Sequence, residues 1–414
     1  MPLHTWKQRT FLAFGSALEY YNIAVYVALQ RYIVTHFFPQ DALEQNTLML
    51  SWLPFVFREL IGPIGSIYLG FLAEKKGRKY TLILSSWMTG CATLLIACLP
   101  TYDAIGYWAT ILLFLMLSLQ SFSYSGEQPT VLVYLLEHAN ANEKSRVSAL
   151  TVVFNILSVS LAYAVVELLS TLLTEVQMQE YGWRIPFFIG AVNLYIGYAF
   201  KKKIQEQFRT QKIVSIKADV VTSLQLMLKF APNTVLFFTN TMAISTLIKK
   251  VPETSLCSSW LPTLLTLISC LACWGAGVWL DRQKNPHQVL QTTYLLMIFF
   301  AVPVYALQEL NTWPTLVISH AIILVAMGVS MAGAIPEMYD GIKSPHKVIA
   351  LSLGMTFGVI LFGAPSPMLA EILSKQGQAY IGLLASLGGL LFFLAMGLEK
   401  FTLKQRTTGT TAVS

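Results

Sequence analysis

Charge is what this chain has least of. Asp, Glu, Lys and Arg together supply 12% of its 414 residues, against about 25% in an ordinary soluble domain. A water-facing globular fold is thereby excluded. Cysteine is scarce as well: Cys91, Cys98, Cys257, Cys270 and Cys273 are the five present, and all fall inside apolar runs. Cys270 and Cys273 form a C-x-x-C without a second ligand pair, so small-residue packing is favoured over metal or redox chemistry. No nucleotide loop, metal-ligand cluster or nucleophile constellation is legible, so the chain reads as a non-enzyme with no cofactor and no metal. No small-residue cleavage pattern follows Met1–Thr10, which runs straight into the first apolar stretch.

What the chain has instead is apolar length. It is 55% hydrophobic, with a mean hydropathy of +0.58. Twelve apolar runs follow one another, near 11–33, 48–73, 79–99, 104–126, 146–173, 184–200, 220–246, 257–280, 288–308, 313–335, 348–373 and 378–399. Each is about 20 residues long, enough to cross a bilayer core of about 30 Å as a helix. The fold class expected is an all-α membrane protein of twelve transmembrane helices in two six-helix, pseudo-symmetric bundles.

The net charge of +7 invites a nucleic-acid reading, but the placement of the basic residues argues against it. They gather at the amino terminus (Lys7, Arg9) and in alternate loops: Lys75 to Lys79, Lys144 and Arg146, Lys201 to Lys217, Arg282 and Lys284, Lys343 and Lys347, then Lys400 to Arg406. By the positive-inside rule those loops and both termini are cytoplasmic, which requires an even number of spans. A multi-pass protein of the inner (cytoplasmic) membrane follows.

One turn stands out. Gly70-Phe-Leu-Ala-Glu74-Lys75-Lys76-Gly77-Arg78-Lys79 lies between two apolar runs, and a weaker copy, Gly277-Val-Trp-Leu-Asp281-Arg282, lies between two others. The copies are 277 − 70 = 207 positions apart, half of 414. Two fused bundles explain that spacing: residues 1–200, a cytoplasmic linker at 201–219, residues 220–400, and a short polar cytoplasmic tail at 401–414 without order of its own. In the turn, Glu74 is expected to meet basic residues and a neighbouring helix end, gating one face. Gly70 allows a close helix approach and Gly77 a sharp bend. A purely topogenic basic loop is the plainer alternative.

The twelve spans and the repeated G-x-x-x-[DE]-[KR] turn resemble the major facilitator superfamily of secondary transporters. Further fragments resemble its metabolite:proton symporter family. These are Glu19-Tyr20-Tyr21-Asn22 with Phe37-Phe38-Pro39, Gln120-Ser121-Phe122-Ser123-Tyr124-Ser125-Gly126-Glu127 with Glu137 and Arg146, Gly182-Trp183-Arg184-Ile185-Pro186-Phe187, and Phe362-Gly363-Ala364-Pro365. The resemblance implies alternating access around a midplane site, for osmolytes, carboxylates and similar metabolites. The chain departs from that pattern where the family has an acid (Asn22 here) and two arginines (Leu117 and Gly62 here), with Arg58 one turn from Gly62 on the same helical face. Those losses put family-type proton coupling in question.

Ionisable residues inside spans are costly and point to function. Glu19 and Glu127 are the leading proton carriers, expected to look into one shared cavity; hydrogen-bonded acids that fix packing are the alternative. Arg58 and Glu59, adjacent in sequence, are expected to point apart, with Arg58 meeting an acid on another helix; neutralisation of Arg58 by Glu59 itself is the alternative. Tyr20, Tyr21, Tyr26 and Tyr124 beside the acids suit an ammonium group, or else plain packing. Asn155, Asn193, Asn240 and Thr241 are polar positions in other spans, the last two being the best of the second half. His320 is the histidine deep in a span, and Lys229 the cation whose direction would alter the charge balance. The reading is a secondary active transporter of a small polar metabolite, an amino acid or betaine-like osmolyte before a carboxylate, coupled to protons. An uncoupled facilitator or exporter of the same fold is the near alternative, and a non-transporting receptor or sensor the distant one. The partners expected are the substrate, protons and the lipid bilayer, with no nucleic acid, for a monomeric chain.

Overall fold

The computed structural model describes residues 6–192, 195, 216–242, 261–310, 312–342 and 347–410. Most of the expected linker, together with Asn193 and Cys257, lies outside them. Among the described residues every regular element is helical. Each of the twelve apolar runs contains a helix, because bilayer-facing backbone must satisfy its hydrogen bonds within its own segment.

Span 1 comprises Trp6–Ala28 and Gln30–Phe37, bent by 67°. Span 2 comprises Gln40–Glu59 and Gly62–Lys76, and spans 3, 4 and 5 are Arg78–Cys98, Tyr107–Glu137 and Lys144–Leu172. Span 6 is described over Ile185–Ala191. Span 7 runs Ile216–Phe237 and continues as a π-helix, Phe238–Met242. Spans 8, 9 and 10 are Leu261–Leu280, Pro286–Ala306 and Trp313–Gly341. Span 11 is Lys347–Gly358, a π-helix at Val359–Gly363, and Ser366–Ser374; span 12 is Ile381–Thr410. Among the described residues nine of these helices are long and apolar enough to cross a membrane, ten with the bent pair counted as one.

The polar tail, expected without order, instead continues span 12 as helix to Thr410. Leu403, Lys404, Gln405 and Arg406 favour that outcome, since such side chains lose little rotamer freedom in a helix; Thr407, Thr408, Gly409 and Thr410 do not.

Spans 1–6 and spans 7–12 form two bundles, which meet along spans 2 and 11 and along spans 5 and 8. Close approach there depends on small residues. A Cβ on Gly277 of span 8 would sit 2.6 Å from the Ala149 Cβ of span 5, and one on Gly70 of span 2 would sit 3.1 Å from Ile349 of span 11. The two glycines of the repeated turn thus occupy matching places on the two seams. Between spans 2 and 3 the chain reverses at Gly77, whose φ of 97° lies in the region open to glycine.

Candidate functional site

A cavity lies between the bundles, about midway along the spans. Span 1 gives it Tyr20, span 2 Glu59, span 4 Tyr124, Ser125 and Gln128, and span 5 Asn155; span 7 adds Phe230, Asn233, Thr234, Phe237 and Phe238. The π-helical segments of spans 7 and 11 border it through Phe238 and Val359, and such irregular turns recur at functional sites. The volume that a water centre can occupy is about 40 Å³, room for a few waters. Any larger ligand requires the bundles to part.

The wall is aromatic and its polarity is concentrated. Tyr20 meets Tyr124 edge-on at 5.2 Å and Phe237 of the other bundle at 5.6 Å. The hydroxyls of Tyr20 and Tyr124 and the amide of Gln128 form one hydrogen-bonded group, in which Gln128 Nε2 donates to Tyr20 at 3.1 Å. Asn155 Oδ1 and Thr234 Oγ1 are buried and lack hydrogen-bond partners among the described residues. Among the described lining residues Glu59 is the one carboxylate, and none is Lys, Arg or His.

Glu19 and Glu127 do not line this cavity. Both are buried inside the first bundle, between spans 1, 3 and 4, because the rotation of each helix turns those faces inward. The single Thr89 hydroxyl of span 3 lies within hydrogen-bond reach of both Glu19 at 3.1 Å and Ser123 of span 4 at 2.9 Å. Ser123 donates to the Ser85 carbonyl at 2.6 Å, and the Ser85 hydroxyl donates to Glu127. The two acids thus lie at the ends of one polar cluster within the first bundle, Thr89, Ser123 and Ser85, which is interrupted as a file of hydroxyls at the Ser85 backbone carbonyl. Further along, Gln120 Nε2 donates to Thr93 at 2.8 Å. Asn22 lies against Gly190 of span 6, with neither amide atom partnered among the described residues.

Arg58 and Glu59 were expected to point apart; instead they pair with each other. Arg58 Nε lies 3.0 Å from Glu59 Oε1, with both side chains buried. The helix ends at Glu59 and restarts at Gly62–Pro63, so neighbouring side chains at that break can curl together. Ser121 donates to the other Glu59 oxygen at 3.3 Å. Gly62 has no room for a larger residue in this conformation, since its Cβ would lie 2.6 Å from Thr356 of span 11.

The remaining candidates are anchored elsewhere. Tyr21 donates to the Pro186 carbonyl at 3.2 Å and Tyr26 to the Ser51 carbonyl at 3.1 Å. Asn240 accepts from Tyr305 of span 9 at 3.2 Å, and the Thr241 carbonyl accepts from Tyr163 of span 5 at 2.7 Å. His320 Nδ1 sits 3.1 Å from the Leu316 carbonyl. Lys229 is turned from the cavity toward Glu399 at 2.7 Å and Glu337 at 3.8 Å, and Glu337 also meets His287 at 3.0 Å. Of the residues singled out in the sequence, Tyr20, Tyr124 and Asn155 line the cavity; Gln128, Asn233 and Thr234 were missed, and Glu59 was noted beside Arg58 but not as a cavity residue. Their signal was a polar residue in an apolar run, but the face they share is set by tertiary packing.

At the face carrying the basic turns, the bundles are latched. Asp281, after span 8, accepts from the backbone N–H groups of Ser145 and Arg146 at 2.9 and 3.1 Å and from Arg146 Nε at 2.8 Å. It thereby caps the start of span 5, where exposed N–H groups and the helix dipole favour an anion. Lys144 pairs with Asp340 of span 10 across the same seam. Arg78 forks onto Glu137 of span 4 at 2.6 and 3.0 Å, within one bundle. Lys75 is stacked over Phe71, Lys79 is half-buried and Arg282 exposed; the side chain of Glu74 is not among those described. At the opposite ends of spans 2 and 11, Trp52 Nε1 donates to Glu371 at 3.0 Å.

The Major Facilitator Superfamily family model matches residues 11–340. A citrate-proton symporter of Klebsiella pneumoniae is 28% identical over 395 residues, covering 92% of this chain and 87% of the relative. An alpha-ketoglutarate permease of Escherichia coli (strain K12) is 27% identical, covering 88% and 86%. A Staphylococcus aureus (strain COL) protein named for proline/betaine transport is 25% identical, covering 88% and 81%. Among solved structures, a proton:xylose symporter superposes with a TM-score of 0.65 at 14% identity, covering 94% of each chain. A human organic anion transporter superposes at 0.67 with 13% identity, covering 94% of this chain and all of the other.

Proposed function

This chain belongs to the Major Facilitator Superfamily, and we propose that it is a proton-coupled carrier of a small zwitterionic metabolite, an amino acid or a betaine-like osmolyte. It is a secondary transporter of the membrane, not an enzyme, and its relatives are named for citrate, alpha-ketoglutarate and proline/betaine. The observation that carries the choice among these is the cavity wall: tyrosine and phenylalanine faces around one carboxylate, Glu59, with no cation among the described lining residues. Aromatic faces and a carboxylate attract an ammonium group. A tricarboxylate entering the same wall would lose its hydration without cations to replace it.

In this reading the two bundles rock about the cavity. The basic face is cytoplasmic and the Asp281 and Lys144 latches hold it shut, with Glu74 as the counterpart of Asp281 at the other seam. Protons are carried by the buried acids of the first bundle, Glu19 and Glu127, along a route separate from the substrate. The domain boundaries at 200, 219 and 400, the inner-membrane location and the monomeric state belong to the same proposal.

The test is a binding screen. The purified protein in detergent is heated with L-proline, glycine betaine, other amino acids, citrate or 2-oxoglutarate. Zwitterions are expected to raise the melting temperature and the carboxylates not to. A rise with citrate or 2-oxoglutarate alone contradicts the reading.

A further inference from the structure

The Arg58 guanidinium is 1% exposed, and neither Nη1 nor Nη2 has a hydrogen-bond partner among the described residues. Its contact with Glu59 is made through Nε at 3.0 Å, off the donor axis, so it is an ion contact without an aligned hydrogen bond. A buried guanidinium normally spends its planar fork on a carboxylate or on carbonyls, because leaving it unmade is expensive. Here the fork edge is unspent, while Glu59, the side chain it touches, lines the cavity. The cation stands one side chain behind the wall.

We propose that Arg58 is the carboxylate-binding residue of the cavity and that a zwitterion binds by opening the Arg58–Glu59 pair. The proposal rests on the reading of the cavity as a site for zwitterions, and deepens it. The ligand carboxylate takes the Nη1/Nη2 fork in two parallel hydrogen bonds. The released Glu59 faces the ligand ammonium, with the Tyr20 and Tyr124 rings beside it. One internal ion pair is exchanged for two intermolecular ones, and the net charge of the site stays unchanged throughout.

That exchange also sets specificity. A zwitterion brings one charge of each sign and leaves nothing unpaired. Choline brings the ammonium without the carboxylate, so it must release Glu59 from Arg58 and strand the guanidinium. Succinate satisfies Arg58 but brings a second carboxylate toward Glu59. Both are disfavoured by the arrangement rather than by size.

The experiment measures binding of glycine betaine, L-proline, choline and succinate to purified wild type, Arg58→Gln, Arg58→Lys, Glu59→Gln and the double variant R58Q/E59Q. Arg58→Gln is expected to weaken glycine betaine and L-proline at least tenfold and to strengthen choline, because Glu59 is set free. Arg58→Lys keeps the charge but not the fork and is expected to recover only part of the loss. Glu59→Gln is expected to gain succinate. Should Arg58→Gln fail to fold with Glu59 stranded, the double variant removes both charges together and is expected to lose both zwitterions. Zwitterion affinity within twofold of wild type in a folded Arg58→Gln or double variant overturns the proposal. If wild type binds succinate and no zwitterion, the reading of the cavity fails. Arg58 is then judged separately, by whether Arg58→Gln abolishes the succinate binding.

Discussion

Asp281 takes three hydrogen bonds from the first turn of span 5, two of them from backbone N–H groups. Replacing an N-cap acceptor by alanine costs about 0.5–2 kcal/mol, and here that energy belongs to the state with the basic face closed. Asp281→Ala should therefore move the population toward the state open at that face by about two- to thirtyfold. A cysteine at Ala149, buried on the seam, reports this through its labelling rate, and an unchanged rate contradicts the gating role. Glu19 and Glu127 carry a second prediction. Glu19→Gln or Glu127→Gln should abolish accumulation driven by a pH gradient while sparing substrate exchange; accumulation in both variants moves the proton route elsewhere. Ionisable residues such as these were legible in the sequence as costly insertions in apolar runs. Their facing was not: Glu19 and Glu127 turn into the bundle and Glu59 into the cavity, and only the rotation of neighbouring helices decides that.

At the scale of elements, the positions of the helices followed from apolar length, and the turn at Gly77 followed from its motif. The departures from straight helix did not. The 67° bend of span 1 and the π-helices at Phe238–Met242 and Val359–Gly363 arise where one span packs on another, and hydropathy carries no trace of them. Seam glycines were partly legible, because the repeated turn marks Gly70 and Gly277. Gly277→Val should prevent close approach of span 8 to span 5, whose Ser145 carbonyl would stand 3.0 Å from the new Cβ. Overpacking of this kind costs about 1–3 kcal/mol. The variant is expected to insert in the membrane, lose most transport and expose the Ala149 cysteine to labelling. Wild-type flux would mean that the seam does not close during the cycle.

For the whole molecule, the 207-residue offset between the turns anticipated two bundles latched at one face, and the seams of spans 2 with 11 and 5 with 8 carry that symmetry. Orientation rests on loop charge. Single cysteines introduced at Lys76 and at Gln283 should label from the cytoplasmic side of intact cells after permeabilisation and not before; labelling from outside reverses the assignment. The sequence already favoured an amino acid or betaine-like osmolyte over a carboxylate, from the interior acids and missing arginines; the folded chain supports that preference on a different ground, the side chains that the bundles bring to one wall. The most direct measurement is uptake into liposomes containing the purified protein, with an inward proton gradient. Glycine betaine or L-proline should accumulate above its outside concentration, collapse with the gradient, and be undisturbed by excess citrate. Gradient-driven accumulation of citrate or 2-oxoglutarate, with neither zwitterion moving, would contradict the account.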